Sequence, residues 1–220
     1  MTISEQGNVM ASRKFVLEYI DQLTDCISGE FIFEVDDVAA LCEIVDPEAV
    51  DIHPAASYEL ELEDIEKLKL RFQIAGHDHS PVAQLRSWGV MDELPYKVHT
   101  NRELALMLAG EKPFAAFSEY LPSDLDDECI PESRFAPYVQ DGLFLKREYV
   151  IAAKNNRKTR VVLYARSGEE WRIEAYILLK RTAEKAGWSE GFERLEGALL
   201  GYEEWQNDVY IEKMFKSRGK

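Results

Sequence analysis

Histidine and cysteine are the scarce, chemically versatile residues of this chain, four and three among 220, and only His77 and His79 lie close together. On an extended segment the side chains of residues i and i+2 face the same way, so both imidazoles could reach one metal ion. Such a site needs at least one more ligand. Asp78 would face the other way, and Asp92 or Glu93 are the nearest acidic candidates. A metal-dependent hydrolase is the chemistry this pattern would serve. The plainer reading is a polar loop ahead of Ser80-Pro81, because the pair lacks the helical HExxH frame of zinc hydrolases. The spacing favours the plainer reading.

Paired carboxylates come next. Phe31-x-Phe33-x-Val35-Asp36-Asp37-Val38-x-x-Leu41 aligns without gaps with Tyr58-x-Leu60-x-Leu62-Glu63-Asp64-Ile65-x-x-Leu68. Acids at strand ends could hold two metals or act as acid and base. They could equally start helices, by accepting bonds from free N–H groups and by favouring the positive end of the helix dipole. Their repetition supports the helix-start reading. As exposed groups, Asp36, Asp37, Glu63 and Asp64 are also candidates for contacting a basic partner.

A third group is basic. Lys154, Arg157, Lys158 and Arg160, with Lys146 and Arg147 behind them and Tyr149 and Tyr164 nearby, could grip phosphates and stack bases. Arg157 and Lys158 would lead such a surface, and a nucleic-acid or regulatory module built on 154–160 is a further reading. An ordinary solvated turn explains the same residues, and the chain's net charge of −15 opposes a polyanion. Trp171, Tyr202, Trp205 and Tyr210 form either a binding face or helix core, the latter being commoner at helical spacing. No GxSxG elbow, GxxxxGK(S/T) loop or GxGxxG is present, so no nucleophile, nucleotide or other cofactor is indicated.

The elements that must position these groups follow from periodicity. Phe15, Tyr19, Ile20 and Leu23 predict an amphipathic helix over 12–27, stopped by Ser28-Gly29. The two aligned segments predict strand-to-helix units sharing one sheet. Tyr96-x-Val98-x-Thr100 is a looser third copy, with Thr100 and Glu103 as a capping box. Ser80-Pro81 predicts a short helix through Leu85 and Trp88 that stops at Gly89. Gly110 ends another helix, and residues 113–120 read as a strand. Residues 142–154 and 158–166 form the clearest hairpin signal. Ser167-x-x-Glu170 reads as a capping box for a helix with Trp171, Ala175, Leu178, Leu179 and Thr182 on one side, closed by Gly187. Ser189 caps the next, with Phe192, Leu195, Leu199 and Tyr202 inward, and a last helix runs past Trp205.

These elements predict an α+β fold: an acidic strand–helix lobe over 1–120, an acidic connector over 121–135, and a hairpin packed by two or three helices over 136–220, with one continuous domain sharing a core as the alternative. Residues 1–135 hold 28 acidic and 10 basic side chains and residues 136–220 hold 13 and 16, so the net charge divides as −18 and +3. Cys26, Cys42 and Cys129 are odd in number and far apart, which suits reduced thiols in a cytoplasmic setting. No apolar run reaches the roughly 20 residues of a membrane helix, and residues 1–12 carry no secretory pattern. The leading functional expectation is a non-catalytic acidic interaction protein, of inhibitor or immunity type, whose partner is a basic protein and not nucleic acid or membrane.

Overall fold

The computed structural model describes residues 12–45, 57–74, 82–121, 130–152 and 158–216. It is α+β, with two antiparallel sheets and seven α-helices among the described residues. The chain divides into two compact units, Met1–Glu93 and Leu94–Lys220. That division lies upstream of the 121–135 connector read from composition. Residues 122–129 lie outside the described set, and Glu132–Gln140 is helix, not connector.

In the first unit, β1 (Arg13–Asp21), β2 (Cys26–Val35), β3 (Tyr58–Leu60) and β4 (Ala83–Ser87) form one sheet in the order β2-β1-β4-β3. The helix expected over 12–27 is instead β1, a turn and the start of β2. Phe15, Val16, Leu17 and Tyr19 form an almost unbroken apolar run that fits either period, and aromatic and β-branched residues favour the pleated surface. Phe15, Leu17 and Tyr19 share one face and are wholly buried. Leu23, which the helical reading placed inward, is 81% exposed in the turn. Asp21 makes that turn, its Oδ1 accepting from the Leu23 and Thr24 backbone N–H groups and from the Thr24 hydroxyl. This is the local side-chain bonding that lets aspartate compete with regular structure.

The two aligned segments do share this sheet, as its opposite edges. Strand β2 leads into α1 (Val38–Cys42) and β3 into α2 (Leu62–Phe72). Both helices cover the same sheet face, where Leu41, Ile65 and Leu68 join Phe15, Leu17, Phe33 and Leu85 in one core. The helix expected through Leu85 is β4, because Ala83, Leu85 and Ser87 alternate inward with period two. Residues 96–100 are not a strand, and Arg102, not Thr100, is the N-cap of α3 (Glu103–Ala109). The third copy therefore does not exist as a structural unit.

In the second unit β5 (Phe114–Leu121), β6 (Phe144–Ala152) and β7 (Lys158–Arg166) form a sheet with β7 in the middle. The expected hairpin is present, with Phe144 opposite Arg166 and Ala152 opposite Lys158. One face, carrying Phe117, Phe144 and Tyr164, receives Phe135 of α4 (Glu132–Gln140), whose ring stacks on Tyr164 at 4.1 Å. The other face, carrying Phe114, Val161, Leu163 and Ala165, packs against α5 (Trp171–Ala186) and α6 (Glu190–Leu199). The buried side of α5 is Ile173, Tyr176, Leu179 and Ala183, rotated from the expected stripe: Trp171 and Leu178 are exposed. Glu170, not a Ser167–Glu170 box, precedes α5, while Ser189 does cap α6 through the Phe192 N–H and Gly187 does close α5. Leu195 faces outward. α7 (Glu204–Tyr210) ends in a π turn, Ile211–Phe215. No described helix is long and apolar enough to cross a membrane.

Candidate functional site

The sheet edges of the first unit place the paired acids. Asp37 is the N-cap of α1, its Oδ1 accepting from the Ala39 N–H at 3.0 Å, and Asp36 beside it is exposed. Glu63 and Asp64 lie in the first turn of α2 without capping bonds, so they act there through the helix dipole. Lys67 neutralises both, at 2.9 Å from Glu63 and 3.4 Å from Asp64, and its hydrogen bond holds the Glu63 carboxyl below its usual range. The four acids are thus helix-start groups, and among the described residues the Asp36–Asp37 pair has no cation beside it.

The reason is a feature of sequence that periodicity overlooks. From Phe15 through Glu66 there are sixteen Asp or Glu residues and no Lys or Arg. Residues 1–93 carry 20 acids against 6 basic groups, a net −14, whereas residues 94–220 carry 21 against 20, a net −1. Asp36, Glu43 at the end of α1, and Glu61 at the start of α2 are exposed and form no ion pair with another described residue.

His77, His79, Lys154 and Arg157 lie outside the described residues. Asp92, one of the acids considered as a third metal ligand, is committed elsewhere. It receives both terminal nitrogens of Arg86 at 2.7 Å and the Gly89 N–H at 2.7 Å. Arg86 also reaches Glu18 at 2.5 Å and Glu30 at 3.6 Å, tying β1, β2 and β4 to the turn at 90–93. Among the described residues no group of three His, Cys, Asp or Glu converges as a metal site. Cys26 and Cys42 form no disulfide among the described residues, and Cys129 is outside the described set.

The hairpin's cations are largely spent on its own face. Arg160 pairs with Glu119 at 2.9 Å, Glu132 at 2.5 Å and Glu148 at 2.8 Å. Lys146 bonds Glu132 and lies 3.7 Å from Glu148, and Arg147 pairs with Glu174. Lys158 is exposed at the start of β7. The basic tip expected from sequence is, over its described part, a network of two cations and three carboxylates.

Two arrangements escaped the sequence reading. Lys112 follows the α3 stop at Gly110 and is 2% exposed; its Nζ donates to the Leu200 carbonyl at 3.0 Å and meets His99 Nδ1 at 3.1 Å. An ammonium has no acceptor, so Nδ1 must be bare and the proton of a neutral His99 must sit on Nε2. The His99 ring stacks on Tyr202 at 4.0 Å, and Tyr96 packs between Tyr202 and Trp205. Trp171 takes no part in this group; Arg172 lies over its ring. Burial, then the Lys112 charge, lowers His99 to about 4, and burial lowers Lys112 to about 8. A lone lysine and a lone histidine carry no spacing signal that could have revealed them.

The second is a cleft of about 720 Å³ between the sheet and the C-terminal half of α5. Ala116 and Ser118 of β5, Thr159 and Val161 of β7 and Ile151 of β6 lie along the sheet side, and Tyr176, Lys180, Arg181 and Glu184 along the helix side. The small residues at 116, 118 and 159 make the room. Lys180 is held by Glu196 at 2.5 Å, whereas exposed Arg181 makes no ion pair among the described residues. Tyr149 also lines the cleft, and its hydroxyl is closed to solvent with no hydrogen-bond partner among the described residues. This volume and this mixture of apolar walls with few polar groups suit a small ligand. No family model matches the chain, and comparison with curated proteins and with solved structures gave no match.

Proposed function

We propose that this is a non-catalytic interaction protein whose first unit docks a basic protein. The observation that supports this reading is the stretch from Phe15 through Glu66, with sixteen carboxylates and no cation, whose members at Asp36, Glu43 and Glu61 are exposed without ion pairs among the described residues. A field of one sign raises the encounter rate with a complementary surface and repels nucleic acid. The commitment of Arg160, Lys146 and Arg147 to neighbouring carboxylates leaves the hairpin a weaker candidate for a polyanion grip.

Asp36→Lys, Glu43→Lys and Glu61→Lys together reverse three exposed charges without removing a side-chain bond to another described residue. Capture from lysate should retain a basic protein at about 50 mM salt and release it at about 500 mM, where the screening length falls to a few ångströms. The triple variant should lose the partner. Reversal of Glu111, Asp141 and Glu204 in the second unit should leave it bound. A partner held equally by all three proteins, or indifferent to salt, would refute the proposal.

A further inference from the structure

The cleft beside α5 has chemistry that the acidic surface does not use. Its sheet side is apolar apart from two small hydroxyl side chains, Ser118 and Thr159, and one phenol, Tyr149. A buried hydroxyl without a partner is unfavourable, so the Tyr149 O–H is a donor in want of an acceptor. Burial keeps this phenol protonated, and the charge that acts on it is that of Arg181. Two donors, one neutral and one cationic, therefore stand beside an apolar trough. Lys180 adds no free charge, because Glu196 takes it and its Nζ lies over the Trp188 ring at 4.5 Å. Glu184 stands one turn further along α5.

We propose that this cleft binds a small amphipathic anion, its apolar body lying on Ala116, Val161, Ile151 and Tyr176 and its acidic head meeting Arg181 and the Tyr149 hydroxyl. A medium-chain carboxylate fits this description: the hydrocarbon gains from leaving water, and the head takes a charge-assisted bond from Arg181. Binding is independent of the acidic face of the first unit.

The test uses anilinonaphthalene sulfonate as a fluorescent amphipathic anion and decanoate or decanol as competitors, on the full chain. Saturable one-to-one binding is expected, displaced by decanoate and not by decanol. Ser118→Phe fills the trough and should abolish binding. Arg181→Glu should weaken it at least ten-fold, Tyr149→Phe several-fold, and Glu184→Lys should tighten it several-fold. If Ser118→Phe loses its circular dichroism, Arg181→Glu, an exposed helix substitution, still decides the matter. Absence of saturable binding, equal displacement by decanol, or binding indifferent to Arg181→Glu would each overturn the proposal.

Discussion

Lys112 is an ammonium carried almost wholly out of water, and the residues around it show how one buried charge dictates the protonation of its neighbour. The bond to His99 Nδ1 requires a neutral imidazole, and burial with the adjacent positive charge lowers the folded His99 pKa to about 4 from an ordinary 6.5. Between those values the unfolded chain binds the proton more readily than the folded one, so stability is lost as pH falls from 6.5 towards 4. Lys112 gives the same sign higher up: its folded pKa of about 8 lies below its ordinary 10.5, so stability rises from pH 8 to 10.5. His99→Asn keeps an acceptor for Lys112 but removes both the titration and the stack on Tyr202. It should cost about 1–2 kcal/mol at pH 7 through the lost stacking and packing. The gap between wild type and variant, read from urea midpoints, should narrow as pH falls to 4. A gap constant with pH would contradict the assigned protonation state.

At the scale of elements, the sheet of the second unit is clamped on its α4 side by aromatic packing at one end and by charge at the other. Phe135, Phe117, Phe144 and Tyr164 interlock, and Arg160 then gathers a carboxylate from each of β5, β6 and α4. Burial raises the Glu132 carboxyl, but hydrogen bonds from Lys146 and Arg160 outweigh it and the net shift is downward; Glu148 is lowered first by its bond from Arg160. Carboxylates with depressed folded pKa values contribute stability above their unfolded pKa, and this is lost as pH falls through the folded one. Arg160→Met should leave three carboxylates facing one lysine and cost about 1–3 kcal/mol at pH 7, since the groups are only partly buried. Thermal unfolding at pH 7 and pH 3.5 should show the penalty shrinking in acid. A second constraint lies at the junction of α6 and α7, where Gly201 has φ +92° and an added Cβ would stand 2.5 Å from Pro113 Cδ. That approach, like the backbone angle, admits only glycine.

For the whole molecule, each unit has its own core, one built on Leu17, Phe33, Leu68 and Leu85 and the other on Phe114, Leu163, Ile173 and Leu179. Leu68→Ala removes a fully buried side chain of the first and should cost about 2–5 kcal/mol. Hydrogen exchange should accelerate in β1, β2, β4 and α2 and stay unchanged in β5, β6 and β7. Acceleration throughout would mean that the two cores unfold as one. Charge follows the same division, −14 in residues 1–93 against −1 in residues 94–220. The proposed partner surface accordingly belongs to the first unit and the proposed ligand cleft to the second.

Short-range rules decided what the sequence by itself determined: the α+β class, the hairpin 144–166, the strand-to-helix units with acids at 36–37 and 63–64, and the stops at Gly110 and Gly187. Each of these is set by side-chain alternation, a cap, an acid in a first turn or a glycine, within a few residues. Tertiary structure decided the rest. Phe15–Tyr19 could satisfy either period, and only pairing with Phe31 and Phe33 on one side and Leu85 on the other made it a strand. The partners of Arg160 come from positions 119, 132 and 148, and those of Lys112 from 99 and 200. The cleft exists because β5 and β7 bring Ala116, Ser118 and Thr159 opposite α5. Contacts of such sequence separation leave no periodic mark, so a buried lysine reads like an exposed one until the fold encloses it.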